Sequence, residues 1–304
     1  MNASTSPPRL RVHAAPPAAP PPLIAFRFRE RPASPLDIAC APLAGPDQEN
    51  WQADAAGHYR LVAIEQAEQD GDIEAAADQA YRQLLAAVRP SAHPYLLRIW
   101  NYFAAINQGE GDGERYRRFC VGRARAVDGM FNDPPPAATA IGADGAPGRL
   151  QLVALCSKAP ALALENPRQT PAWRYPREHG PVSPGFSRGA VLDADTATPR
   201  LLASGTASIV GHVSLHVGDF AAQLRESLEN LATLLAEGER RAGRRFVLAD
   251  CEALRIYLRH PRDLDTAQAI LATSGIPADR IAYLHGDVCR RELDVELEGV
   301  FAAS

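Results

Sequence analysis

The feature that most constrains the fold is an order of elements that occurs twice within the 304 residues. In the first half, strand-like runs at 23–28, 37–40 and 59–64 are punctuated by Pro and Gly. They lead into an amphipathic helix over residues 72–88, where Ile73, Ala76, Ala80, Leu84 and Ala87 share one face before Pro90 stops it. A strand over 95–102, an acidic Gly-rich break at 108–113, a helix over 115–130 and a strand over 150–155 follow. In the second half, strands at 186–191 and 200–210 precede a long helix over 220–241 with Leu224, Leu228, Leu231, Leu234 and Leu235 on its apolar side. A strand over 252–258, a helix over 263–273 and closing strands at 280–284 and 293–300 complete it. YLLRIWNYFAAIN (95–107) and ALRIYLRHPRDLD (253–265) occupy equivalent places. The pattern reads strand, strand, helix, strand, helix, strand in each half. Its period is too long for a solenoid, and it predicts an α/β (α+β) protein of two related sandwiches, each a mixed sheet with helices on one face. The expected division is a Pro/Ala-rich tail at 1–22, ordering from about Leu23, and domains at 23–165 and 166–304.

Several functional classes are disfavoured. The formal net charge is -4, without the basic excess that phosphate backbones demand, so nucleic acid is not an expected partner. The tail lacks the apolar core of a signal peptide and no run reaches membrane-spanning length, so a cytoplasmic protein without membrane attachment is expected. Five cysteines, at 40, 120, 156, 251 and 289, include no C-x-x-C pair; reduced thiols are expected rather than a disulfide framework or zinc ribbon.

Three stretches carry candidate chemistry. The junction from Glu165 to Arg188, ENPRQTPAWRYPREHGPVSPGFSR, sets Arg168, Arg174, Arg177 and Arg188 among prolines and aromatics. It is a rigid cationic surface suited to a small carboxylic acid, or a docking segment paired with acidic side chains. SGTASIVGH (204–212) packs small and hydroxyl residues at a strand end, leaving room for a ligand or simply for tight packing. His212 and His216 have metal-pair spacing, yet no H-E-x-x-H context or third ligand, so no metal is expected. In the closing strand Leu293, Val295 and Leu297 alternate with Asp294, Glu296 and Glu298. The glutamate face reads as solvated, or as an acid aimed into a cleft. Cys289 reads as a small pocket-lining residue rather than a nucleophile, since nothing marks a base beside it. Tyr95, Trp100, Tyr102 and Phe103 read as core and interface. Arg115, Arg117, Arg118, Arg123 and Arg125 read as the wet side of a helix.

The segments LLRIWNYFAAIN, ERYRRFCVGRARAV, PPAATAIG, the junction, SGTASIVGH and GDVCRRELDVELEG together resemble the chorismatases, which remove the enolpyruvyl group of chorismate as pyruvate. They span most of the chain after about residue 90. The second half also resembles the RidA/YjgF domain through Ser204-Gly205-Thr206, Leu228-Glu229-Asn230-Leu231 and Val295-Glu296-Leu297-Glu298. The resemblance implies two RidA/YjgF-like units, the second catalytic, with Glu296 as the acid and Arg168, Tyr175 and Arg188 holding the substrate. It implies no metal or organic cofactor. Cys289 resembles the 3-hydroxybenzoate-forming branch, whereas Ala207 stands where strict 3-hydroxybenzoate makers have Gly. That mixture resembles the branch yielding both 3- and 4-hydroxybenzoate, precursors for pigments and quinones. Alternatives are hydrolysis to a dihydroxycyclohexadiene carboxylate, RidA-like enamine or imine deamination, and metabolite binding without turnover. Related domains form trimers, but a tandem duplicate can satisfy such surfaces internally, so trimer and monomer both remain open.

Overall fold

The computed structural model describes residues 24–29, 36–46, 48–51, 57–127 and 134–304. The expected tail at 1–22, Leu23 and the last turn of the second helix at 128–130 lie outside them. In chain order the strands and helices are β1 (Ile24–Arg29), β2 (Asp37–Ala39), β3 (Pro42–Ala44), β4 (Gln48–Trp51), β5 (Tyr59–Ala67), α1 (Ile73–Val88), β6 (Tyr95–Ala104) and α2 (Arg115–Val127). There follow β7 (Ala137–Ala143), β8 (Arg149–Ser157), β9 (Leu162–Leu164), β10 (Gly189–Leu192), β11 (Arg200–Thr206), β12 (Ile209–Val210), β13 (Val213–Ser214) and α3 (Phe220–Ala242). The chain closes with β14 (Cys251–Leu258), α4 (Leu264–Leu271), β15 (Ile281–His285) and β16 (Val295–Ala302).

The duplication is carried by sheet order. One sheet runs β5-β8-β6-β7; the other runs β3-β15-β14-β16-β11-β10-β9 and contains β11-β16-β14-β15, the same arrangement. In both, the strands flanking the second helix are parallel, β6 with β7 and β14 with β15, and the remaining equivalent pairs are antiparallel. The repeated unit is therefore strand, helix, strand, helix, strand, strand. β7 carries little strand signal in the sequence, because AATAIGA is mostly Ala and Gly, with only Thr139 and Ile141 β-branched, and lacks period-2 alternation. β1 and β2 instead join β4 in a small separate sheet. β3 and β9, both before residue 165, add to the second sheet through β15 and β10.

The helices start where local chemistry permits. Asp72 accepts from the Glu74 and Ala75 amides to cap α1, and Asp219 accepts from Ala222 to cap α3, satisfying donors that a helix leaves unpaired. Gly243, with φ 64°, ends α3 in the left-handed conformation. α1 and α2 cover the outer face of the first sheet, burying Ile73, Tyr81, Leu84 and Phe119 against β6 and β8. α3 and α4 cover the second, burying Leu224, Leu231, Leu234 and Leu271 against β14 and β16. Each such leucine contributes roughly 1.5–3 kcal/mol by area. The two inner sheet faces pack on one another through Leu97, Tyr102, Val153, Leu202, Tyr257 and Val300. The glutamate face of β16 thus meets a second sheet, not water: Glu296 is 5% exposed and Glu298 3%. The wet-side reading of α2 also fails at two positions. Arg115 is buried on Glu68 and backbone carbonyls, and Arg123 is buried against the Tyr81 and Phe119 rings. Among the described residues, no helix is long and apolar enough to cross a membrane.

Candidate active site

A cavity of about 330 Å³ opens where β16, β7, β11 and α2 meet the junction and the loop before β16. It exists because β11 departs from regular pairing. Its register against β16 shifts between Ala203 and Thr206, a bulge that lifts Gly205 out of the ladder beside Glu296. The expected continuous strand at 200–210 is consequently broken, and β12 pairs with β13 as a separate hairpin. A methyl group on Gly205 would lie 1.9 Å from Glu296 Oε1, so the carboxyl occupies space that only glycine leaves open.

Glu296 and Glu298 project from the same face of β16 into different environments. Glu298 Oε2 accepts from Thr139 Oγ1 at 2.6 Å and from Arg98, while Oε1 accepts from Arg255 Nη1 at 2.9 Å and Tyr257 OH at 2.7 Å. Burial pushes its proton affinity up, but Arg98 and Arg255, with the two hydroxyl donors, outweigh it and hold the carboxyl below the usual range. Glu296 makes no hydrogen bond through its carboxyl to the described residues. Burial, then the charge of Glu298, pushes it up to about 8, against the opposing pull of Arg98 and Arg188. The surroundings thus drive the proton affinities of the two carboxyls apart.

The junction supplies Tyr175 and Arg188 to the cavity but not Arg168. Arg188 is 3% exposed, donating through Nη2 to Tyr175 OH at 2.6 Å and the Thr170 carbonyl at 3.1 Å, and its Nε has no partner among the described residues. Arg168 points to α3, where it bonds Glu226 at 2.6 Å and Asn230 at 2.9 Å. The substrate-holding role implied for it does not fit, because its charge is already paired away from the cavity. Arg123 and Arg290 line the cavity instead. Arg290 lies over the Tyr175 ring, with Nη1 on His212 O and Ser214 Oγ and a buried Nη2 without a partner among the described residues. Neither was marked by sequence, since a buried arginine on an otherwise charged helix or turn looks like its solvated neighbours.

Ala207 and Cys289 line the cavity with Ile209 and Leu293 as its apolar wall, packed with Val288 in one cluster. Burial and the nearby Glu296 push the Cys289 thiol up, away from the thiolate form a nucleophile needs. The other four cysteines are buried free thiols. His212 and His216 are not brought together as a pair. His216 lies 3.4 Å from Glu226, whereas His212 Nδ1 lies 3.0 Å from His179 Nε2 and 3.3 Å from Glu178. Glu178, His179 and His212 could offer three converging ligand atoms. Burial, then the Arg290 charge, lower the His179 imidazole to about 4.

The cavity thus holds one buried carboxyl, without a hydrogen-bond partner among the described residues, in a wall that also carries Arg123, Arg188 and Arg290. Residues 40–156 match the family described as "Chorismatase FkbO/Hyg5-like, N-terminal", so the likeness starts well before the motifs near residue 90. A chorismatase of Streptomyces rapamycinicus is 40% identical over 250 residues, 80% of this chain and 74% of that one. A 3-hydroxybenzoate synthase of Streptomyces hygroscopicus is 33% identical over 283 residues, 86% of this chain and 83% of that one. A chorismatase crystal structure aligns with a TM-score of 0.74 at 38% identity, covering 80% of this chain and 74% of that one. The chain belongs to the chorismatase family.

Proposed function

We propose that the protein removes the enolpyruvyl group of chorismate as pyruvate, with Glu296 as the proton donor and a hydroxybenzoate as the other product. The observation that carries the mechanism is the Glu296 carboxyl, buried, unpaired and pushed up to about 8 in a cavity lined by arginines. At pH 7 such a group is roughly nine-tenths protonated. Its O–H bond breaks as a C–H bond forms at the enolpyruvyl methylene carbon, leaving positive charge shared by the ether carbon and oxygen. For 4-hydroxybenzoate the ring–oxygen bond of the ether breaks, pyruvate leaves with that oxygen, and the proton on the hydroxyl-bearing ring carbon is lost. For 3-hydroxybenzoate the neighbouring ring hydroxyl adds to the oxocarbenium carbon. Its own ring–oxygen bond and the bond from the ether oxygen to that carbon break as pyruvate leaves, the ether oxygen keeps the hydroxyl proton, and the proton on its ring carbon is lost. In both cases the lost ring proton returns the carboxyl to its acid form. The sum is chorismate to pyruvate plus hydroxybenzoate, with no water consumed.

Arg188, Arg123 and Arg290 reach the cavity from three different segments, which supports the holding of two carboxylates in a fixed pose. The unpartnered Nε of Arg188 and Nη2 of Arg290 are donors available to them. Tyr175 holds Arg188 in place. Cys289 and Ala207 shape the wall that governs which hydroxybenzoate forms, 3-hydroxybenzoate first and 4-hydroxybenzoate beside it. The relative named 3-hydroxybenzoate synthase supports that product. Incubation of purified protein with chorismate, followed by chromatography of pyruvate and aromatic products, tests the reading. Pyruvate no faster than the spontaneous rate rejects it, and a dihydroxycyclohexadiene carboxylate would assign the hydrolytic outcome.

A further inference from the structure

We infer that Glu298 is a positioning residue for the proton-donating step, engaging the buried Arg98 so that its charge does not pair with Glu296. This rests on Glu296 as the acid. Arg98 and Arg255 occupy equivalent places in the duplicated units, in Leu97-Arg98-Ile99 of β6 and Leu254-Arg255-Ile256 of β14. Both turn into the space between the sheets and converge on a single carboxylate, Glu298. Across the ladder Arg98 lies in register with Leu155, whereas Arg255 lies in register with Glu298. Both guanidinium groups therefore meet Glu298, two positions along the strand from the unpaired Glu296.

The same network forms the floor under Glu296. Arg98 also contacts Thr139 and lies 3.4 Å from Ser204 Oγ; Thr139 Oγ1 accepts from the Gly205 amide at 2.9 Å. Gly205 is the residue against which the Glu296 carboxyl rests. Glu298 thus ties Arg98 and Thr139 to the far side of that floor. The charged and titratable groups around Glu296 are Glu298 on its own strand, Tyr257 across from it on β14, Arg98 on β6, Arg188 of the junction, Tyr116 and Arg123 on α2, and Cys289 and Arg290 in the preceding loop. Arg98 and Arg188 are the cations that oppose protonation of Glu296, and of these Arg98 is the one that Glu298 neutralises.

The test is the pH profile of kcat/KM for pyruvate release from chorismate. Glu298→Gln removes the carboxylate that opposes Arg98, so Glu296 loses its proton more readily and the alkaline limb moves to lower pH. A shift of about one unit is expected, making activity roughly tenfold lower on the native limb but restored at acid pH. Arg98→Met removes the cation that opposes protonation of Glu296, while Glu298 keeps Arg255, Tyr257 and Thr139, and the limb moves to higher pH. A purely structural role would lower activity at every pH and leave the limb in place. If Glu298→Gln does not fold, Arg98→Met and the double variant R98M/E298Q, which keeps the native net charge of the cluster, carry the test; the limb of R98M must lie above that of the double variant. Glu296→Gln separates the two claims. Full activity in that variant rejects the acid itself; an inactive Glu296→Gln with unmoved limbs in the other variants rejects only the positioning role.

Discussion

The side chains of Glu296 and Glu298 leave the same face of β16, and only Glu298 is paired: it accepts from Arg255, Tyr257, Thr139 and Arg98, while Glu296 faces the cavity unbonded. The cost of burying an unpaired carboxyl is what pushes its proton affinity up.

Glu296→Gln is therefore expected to lower pyruvate release by on the order of 100- to 10,000-fold, the usual share of a general acid. It is also expected to stabilise the fold above acid pH. The native carboxyl binds its proton up to about 8, whereas in the unfolded chain it releases it near 4.5, so the native protein loses stability as pH rises between those values. Each unit corresponds to about 1.4 kcal/mol at most. Thermal melts at pH 5 and pH 8 should show the advantage of the variant growing with pH.

Gly205→Ala places a methyl group where the Glu296 carboxyl now lies. The carboxyl must swing away, and a displacement of about 1 Å costs on the order of 100-fold in rate. The contact is with a side chain end rather than backbone, so circular dichroism should match the native protein while kcat falls.

Arg188 and Arg168 are expected to differ sharply. Arg188→Ala removes a buried cation from the cavity wall and should raise KM for chorismate by on the order of 100-fold, since a lost charge-assisted contact costs a few kcal/mol. Arg168→Ala loses a partly exposed ion pair to Glu226, 29% and 14% exposed, and should leave KM within about threefold of native. Steady-state kinetics on both variants distinguishes them.

Cys289→Ala and Ala207→Gly reshape the apolar wall without touching the acid. Both should change the ratio of 3- to 4-hydroxybenzoate while total pyruvate release stays within about tenfold, the scale of one methylene-sized change in a pocket. Chromatography of the products against pyruvate yield provides the measurement.

What the sequence determined is what short-range pattern encodes. The runs that became α1 and α3 were legible because their apolar spacing and Asp caps are local. The repeat was legible because β6 and β14 carry the same LRI core. Alternation also placed Glu296 and Glu298 on one face, and the motifs around them pointed to the family. What lay opposite that face was not encoded there. Period-2 alternation is identical for a strand facing water and one facing a second sheet, so only the packing of the two units made both glutamates buried. The same packing brought Thr139 from an Ala-rich strand, Arg123 from α2 and Arg98 from the other unit to the site, and drew Arg168 away to α3. Charge and desolvation depend on neighbours distant in the chain, which is why the identity of the candidate acid was readable early and its protonation was decided by the tertiary structure alone.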